Sequence, residues 1–294
     1  ILAPDGTANV MSAGILNNEY DYRKAYGRGV ARFRPTYHSQ HGLWLDDPTD
    51  LRHSAEHGNW MTMEQLKYNN NSNSALVNSG YYGQNIRLYN DDGVLLCSDT
   101  IRSWFNWPHY KVWLESPQQE GATSYEGGCA DWYVYRLAET YLLRAEAYMW
   151  KGELAKAAED VNAIRRRARC SKLFTASEMT MGVVMDERAR ELYYEEWRHL
   201  ELSRVSYIFA ITGKADEFGK TYTVDGLGQS NYWFESIKKY NEFYNKGVKA
   251  RSGVSYKIAP YHINWPVPQA TINANREGVI NQNYGYSGYE YNIV

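Results

Sequence analysis

The chain has 294 residues, of which 44% are hydrophobic, so its length fits one large domain or two ordinary ones with a sizeable core. Lys and Arg total 32 against 34 Asp and Glu, a near balance that leaves no electrostatic footprint for nucleic acid or for an anionic membrane. No apolar run reaches the roughly 18–20 residues needed to cross a bilayer.

The aromatic content is unusual, with 27 Tyr and 10 Trp but only 7 Phe. A core needing only bulk is served by Phe, Leu and Ile, whereas Tyr and Trp add a polar handle and favour wet, recognising surfaces. Sugar rings present flat C–H faces edged by hydroxyls, and exposed indoles and phenols beside amides suit them. For any single ring packing remains the default, but the enrichment as a whole points to a neutral polar ligand. The three cysteines, Cys97, Cys129 and Cys170, show no CxxC spacing and cannot all pair internally. Ile1 opens directly into a turn-like Ala3-Pro4-Asp5-Gly6 without an initiator Met, which reads as a processed or truncated start.

Residues 1–130 are rich in Gly, Asn, Tyr and Trp and read as ordered loops with short helices and a few short strands, such as Gly93–Cys97. The tract Asn69-Asn70-Asn71-Ser72-Asn73-Ser74 is expected to be loop. His53-Ser54-Ala55-Glu56-His57 matches an inverted zincin string, with His38 and His41 nearby. Gly58-Asn59 follows at once, however, so a helix carrying both imidazoles is not expected, and solvated loop histidines are the simpler account. No metal site and no cofactor are assigned.

From Asp131 the texture changes. Tyr135 to Met149 runs without Gly or Pro, with Leu137, Tyr141, Ala145 and Tyr148 at helical spacing. Lys151-Gly152 breaks it, and a second helix carries Leu154, Ala157, Val161 and Ile164 on one face. Tyr141, Ala145, Tyr148, Gly152, Ala157 and Val161 fit the large, small, aromatic, turn, small and large positions of one tetratricopeptide unit. One such unit cannot bury its own face, so packing partners are expected, in part from a missing N-terminal portion. A third helix is predicted from a cap at Thr175 or Ser177 through to Ile211, ending at Thr212-Gly213. Residues 213–294 return to loop, and the proline-rich Trp265-Pro266-Val267-Pro268 is expected to wrap over the helices.

The densest charges lie on the third helix. Glu187 is expected to meet Arg190, Arg188 to meet Glu191, and Arg198 to meet Glu195 and Glu201, all at i+3 spacing. Paired carboxylates are also the equipment of a glycosidase. Adjacent guanidinium groups hold carboxyls ionised, however, and this suits ion pairing better than general acid chemistry. No GxSxG, GxxxxGK[ST] or GxGxxG after a strand is present. The sequence is therefore read as a binder and not an enzyme.

Four blocks carry a family resemblance: Tyr135-Arg136-Leu137-Ala138-Glu139-Thr140-Tyr141-Leu142, Val161-Asn162-Ala163-Ile164-Arg165-Arg166-Arg167-Ala168, Asp186-Glu187-Arg188-Ala189-Arg190-Glu191-Leu192, and Trp265-Pro266-Val267-Pro268 with Gln282-Asn283-Tyr284-Gly285-Tyr286. In that order they resemble the SusD/RagB family, and Asp50-Leu51-Arg52 is similar to its Asp-x-Arg element. Tyr284 stands where the family usually has Pro, and Glu201 where Asp is common.

The resemblance implies a mainly α fold, a tetratricopeptide-like helical scaffold over 131–212, flanked by the loop-rich aromatic segment 1–130 and a C-terminal wrapping segment 213–294. It also implies a glycan-binding protein at the outer-membrane cell surface of Bacteroidetes-type bacteria. There it would serve as partner to a SusC-like TonB-dependent transporter and be held by a lipid anchor that this chain lacks. A peptide-binding RagB-like role is the alternative, with a glycosidase or zinc hydrolase behind it. The matching blocks are scaffold motifs, so the ligand contacts are sought in the aromatic segment before them. Tyr37, Trp44, Trp60, Tyr81 and Tyr82 are the candidate stacking rings, with Asn85 and Arg87 as hydroxyl partners.

Overall fold

The computed structural model describes residues 1–12, 18–21, 26–27, 35–54, 56–57, 62–97, 110–113, 131, 133–250 and 252–293. Its helices are α1 (Tyr37–Gln40), α2 (Ser74–Asn78), α3 (Leu137–Lys151), α4 (Leu154–Arg167), α5 (Met181–Glu191), α6 (Arg198–Thr212), α7 (Tyr232–Lys239) and α8 (Gln269–Ala274). Among the described residues β-structure is reduced to isolated bridges, one of them Tyr89 with Leu95 inside the expected strand region. No helix among them is long and apolar enough to cross a membrane.

The hairpin α3–α4 turns at Gly152, whose φ of 77° is the left-handed conformation that closes a helix without a Cβ penalty. Gly152 N–H donates to Met149 O and Glu153 N–H to Tyr148 O, satisfying the last carbonyls of α3. Leu142, Ala145, Ala157 and Val161 are fully buried between the two helices, where the alanines allow close approach. Val184 from α5, Val205 and Phe209 from α6 and Trp233 from α7 complete this first core. Ile258 and Ile263 from the tail join it. Within the tail, Gln282 makes a two-way amide exchange with the backbone of Val267.

The expected long third helix is two helices. Thr175 caps only a short 3-10 turn, and Thr180 caps α5 by accepting from Val183 N–H. The chain then turns between Leu192 and Trp197, with Tyr194 at a φ of 64°. No Gly or Pro marks the turn; tertiary contacts impose it. Tyr193 and Tyr194 pack against a second core, while Glu195 and Glu196 are drawn towards Arg136 and Arg188. Gly213, at a φ of 62°, ends α6 as expected.

The second core belongs to the N-terminal segment and gathers Ala3, Val10, Leu43, Trp44, Leu66, Tyr68, Leu76 and Ile86. Its polar tract is more ordered than a loop of asparagines implies. Asn69 is fully buried; its side chain accepts from Ser12 N–H and donates to Tyr20 O. Asn73 caps α2 through Ala75 and Leu76 while donating to Ala8 O.

A buried ion network joins the two cores. Glu187, on α5, is fully buried and meets Arg165 of α4 at 3.2 Å, Arg190 at 3.0 Å and Arg52 of the N-terminal segment at 2.8 Å. Glu191, one turn later, receives Arg52 at 3.0 Å, Arg167 at 2.6 Å and Arg136. Asp47 closes the far side on Arg165 at 3.3 Å, and Asp50 holds Arg52 through two guanidinium nitrogens. The expected Glu187–Arg190 pair forms. Arg188 instead reaches Glu196 at 2.7 Å and Glu201 at 3.0 Å, and Arg198 donates to Met185 O. Local spacing identifies neighbours on one helix, whereas burial recruits partners from other segments.

Candidate functional site

The sequence-derived candidates fall into two places. Tyr37, on α1, is 58% exposed with its ring tilted against His41 at 4.7 Å. Trp44 is only 4% exposed: its indole N–H donates to Ser39 O, and its ring stacks on His53 at 4.9 Å. Tyr81 and Tyr82 are half-buried, edge-on to Tyr68 and Tyr20 respectively, and both pack on the second core. Asn85 is exposed and accepts from Lys67 Nζ, and Arg87 pairs with Asp91. Trp60 lies outside the described residues.

The histidines of the zincin-like string diverge. His53 Nε2 lies 2.7 Å from Gln40 O, and His57 Nδ1 lies 2.8 Å from Ser54 Oγ. Among the described residues, no cluster of three or more His, Cys, Asp or Glu side chains is arranged to hold a metal ion.

A ring-lined concavity lies elsewhere, between α5, α7 and the loop carrying α1. It is a cleft of about 430 Å³, within the usual size of a small-molecule site. Thr36, His38 and Ser39, the neighbours of Tyr37, form part of its rim, and none of the six described candidates lines it. Phe218, Tyr232, Tyr240, Phe243 and Tyr244 contribute rings, with apolar wall from Met185, Leu192, Leu202 and Ile237. Trp44 instead lines a separate recess of about 380 Å³ with Arg52, Lys111, Arg136 and Arg167.

The chemistry of the cleft is set by five side chains. His38 stacks on Tyr240 at 3.7 Å with the planes 15° apart, forming a flat platform. Burial, reinforced by the nearby Arg198, Arg190 and Lys239, overcomes the pull of Asp186 and lowers the His38 pKa to about 4, so its ring is neutral at neutral pH. Tyr240 donates to Asp186 Oδ2 at 2.8 Å; burial and that carboxyl both push its phenol above the ordinary range. Across the cleft Tyr232 donates to Glu217 Oε1 at 2.9 Å. Burial raises the Glu217 carboxyl above its usual value, against the opposing hydrogen bonds.

Sequence reasoning missed this cleft because its walls come from residues about 200 positions apart in the chain. A signal was present: Tyr232, Trp233, Phe234, Tyr240, Phe243 and Tyr244 form a second aromatic concentration, downstream of the helical blocks.

A model of the SusD family matches residues 5–286. The chain is also 30% identical over 246 residues to the Starch-binding protein SusD of Bacteroides thetaiotaomicron. That alignment takes in 83% of this chain and 36% of the relative, so the chain spans little more than a third of the curated relative it matches. The fold, the scaffold blocks and these two matches agree, and the chain belongs to the SusD family.

Proposed function

We propose that this protein binds oligosaccharide or polysaccharide at the outer-membrane cell surface and passes it to a SusC-like TonB-dependent transporter, without chemical turnover. The observation that carries the reading is the ring-lined cleft, with its uncharged His38–Tyr240 platform beside carboxyl acceptors, in a chain of the SusD family. Flat rings take the C–H face of a sugar and the carboxyls take its hydroxyls, the mixture of apolar lining and few placed polar groups expected of a ligand site. The SusD relative's name adds starch to the candidate ligands. Tyr37, next to the cleft rim, extends the platform outwards, and Tyr81, Tyr82, Asn85 and Arg87 offer a second, partly exposed contact surface. A lipid anchor would hold the protein at the membrane.

Peptide capture is the second reading, favoured by the aliphatic wall of Met185, Leu192, Leu202 and Ile237. Calorimetry of the full chain against neutral oligosaccharides, starch fragments included, and a peptide pool separates the two. Heat of binding with a glycan and no released sugar is expected. Binding to peptide alone favours the alternative, and release of reducing sugar by the pure protein contradicts both.

A further inference from the structure

The proline-rich motif of the tail presents an indole to solvent. Trp265 precedes Pro266, which confines it to extended backbone. Its carbonyl accepts from Asn283 Nδ2 at 2.6 Å, and Tyr286 donates to the preceding carbonyl, Asn264 O, at 2.8 Å. The backbone is thus tied down on both sides of the residue, yet Trp265 remains 67% exposed. A large ring offered on a fixed backbone loses little freedom when a flat ligand settles on it.

Beside this indole opens a recess of about 330 Å³. Arg198, Leu202, Ile237 and Tyr244 line both it and the cleft, so the two hollows are neighbours. Two imidazoles in its lining have defined tautomers. His199 stands between Trp233 and Trp265, with centroids 5.3 and 5.6 Å away. Its Nε2 donates to Ile263 O at 3.2 Å, which leaves Nδ1 as an acceptor. His262 accepts from Ala259 N–H at Nδ1, 3.2 Å away, so its proton sits on Nε2 as a donor. Burial lowers the pKa of both rings and keeps them neutral at neutral pH.

The charge of the recess differs from that of the cleft. Asp186, Glu196 and Glu217 line the cleft, whereas Arg198 and Lys257 line the recess and no carboxylate does. Arg198 Nη1 donates to Met185 O at 2.7 Å and lies 3.8 Å from Glu196, leaving its Nε and Nη2 uncommitted among the described residues. Lys257 is exposed and forms no ion pair with a described residue. Two cations beside a flat indole, with one neutral donor and one neutral acceptor between them, suit a ring that carries both hydroxyls and a negative group.

We propose that this recess is a second saccharide site, which takes a sugar unit bearing a carboxylate: its C–H face lies on Trp265, its carboxylate meets Arg198 and Lys257, and its hydroxyls pair with His199 and His262. The proposal rests on the glycan-binding reading and extends it from neutral sugars to uronic-acid units.

The test titrates the full chain and its W265A and K257A variants by calorimetry. The probes are oligosaccharides of galacturonic, glucuronic and mannuronic acid, the methyl esters of each, neutral glucose oligosaccharides and a triglutamate peptide. For the tightest uronate, methyl esterification and W265A are each expected to weaken binding about tenfold, and K257A about threefold. Added salt is expected to weaken uronate binding more than neutral binding. Both altered residues are exposed, so the Tm of each variant is expected to stay within about 2 °C of the original. Binding of the neutral oligosaccharides, which the cleft serves, is expected to be unchanged in both. Equal affinity for an acid and its ester, or uronate affinity unchanged in both variants, overturns the proposal. So does a W265A loss accompanied by a fall in Tm beyond about 5 °C, or triglutamate bound as tightly as the uronates. Each of these leaves the cleft reading standing if the neutral oligosaccharides still bind. A chain that binds no saccharide, neutral or acidic, ends the glycan reading and the proposal together.

Discussion

The helical half and the N-terminal half reach order by different means. In α3–α7 apolar side chains at helical spacing bury one another, and the backbone satisfies itself within each helix. Among the described residues between 1 and 97 the regular elements are only about one turn long, and order comes from side chains that bond to backbone: Asn69, Asn73 and Gln40 each hold segments distant in sequence. The first half needs little from its neighbours to be a helical hairpin. The second is shaped by its own small core and by the arginine network centred on Glu187 and Glu191. The comparison teaches that the family's charged block is the joint between the helical scaffold and the N-terminal segment.

The largest effect is expected at that joint. Glu187→Ala leaves Arg165, Arg190 and Arg52 without a shared partner, and breaking a buried ion pair from one side costs about 3–5 kcal/mol. Urea unfolding reads this directly, and a loss below about 1 kcal/mol would show that the network contributes no more than surface pairs do.

Truncating each core sharpens the comparison. Leu142→Ala in the first core and Leu76→Ala in the second, both fully buried, should each cost about 2–5 kcal/mol. If the halves are one cooperative unit, both variants shift a single transition. A separate early transition confined to Leu76→Ala would mean that the N-terminal layer unfolds alone.

Acid provides a smaller lever on the same joint. Burial raises the Asp47 carboxyl, but hydrogen bonds from Thr49, Lys172 and Ser171 overcome it and bring it from 3.8 to about 2. A depressed carboxyl stabilises the fold above its unfolded value, and that contribution fades as pH falls through the folded one. About 2 kcal/mol should therefore be lost on going from about pH 4 to pH 2, measurable as a falling urea midpoint. A midpoint constant across that window would contradict this role for Asp47.

The smallest stability effect is predicted for Tyr37→Ala. Its ring is exposed, so stability should stay within about 0.5 kcal/mol, while affinity for a bound oligosaccharide drops several-fold. Unchanged affinity would remove Tyr37 from the ligand surface.

The parts of the fold that could be read from sequence are those with local causes. The α3–α4 hairpin follows from apolar spacing and from Gly152, and Gly213 marks the end of α6. The break at Leu192–Trp197 has no local cause, since Tyr193 and Tyr194 leave the helix only to reach a core built by residues more than eighty positions earlier. Arg188 illustrates the same limit: spacing assigned it Glu191, but burial turned it to Glu196 and Glu201. For the site, the aromatic excess pointed to a ring-lined surface but could not rank the rings. Trp44 and Tyr37 lie close in sequence and look alike as candidates, yet one is buried under His53 and the other stands in solvent. The cleft was invisible because Asp186 and Glu217, 31 positions apart, come to line one cavity only once α7 supplies Tyr232 and Tyr240.

Amide hydrogen exchange on the full chain, with and without a saturating neutral oligosaccharide, tests the ligand layer most directly. Slower exchange on binding is expected at the start of α5, around Glu217 and through α7, with α3 and α4 unaffected. Protection centred on α3–α4, or none outside the Tyr81–Arg87 loop, would contradict the placement of the ligand in the cleft.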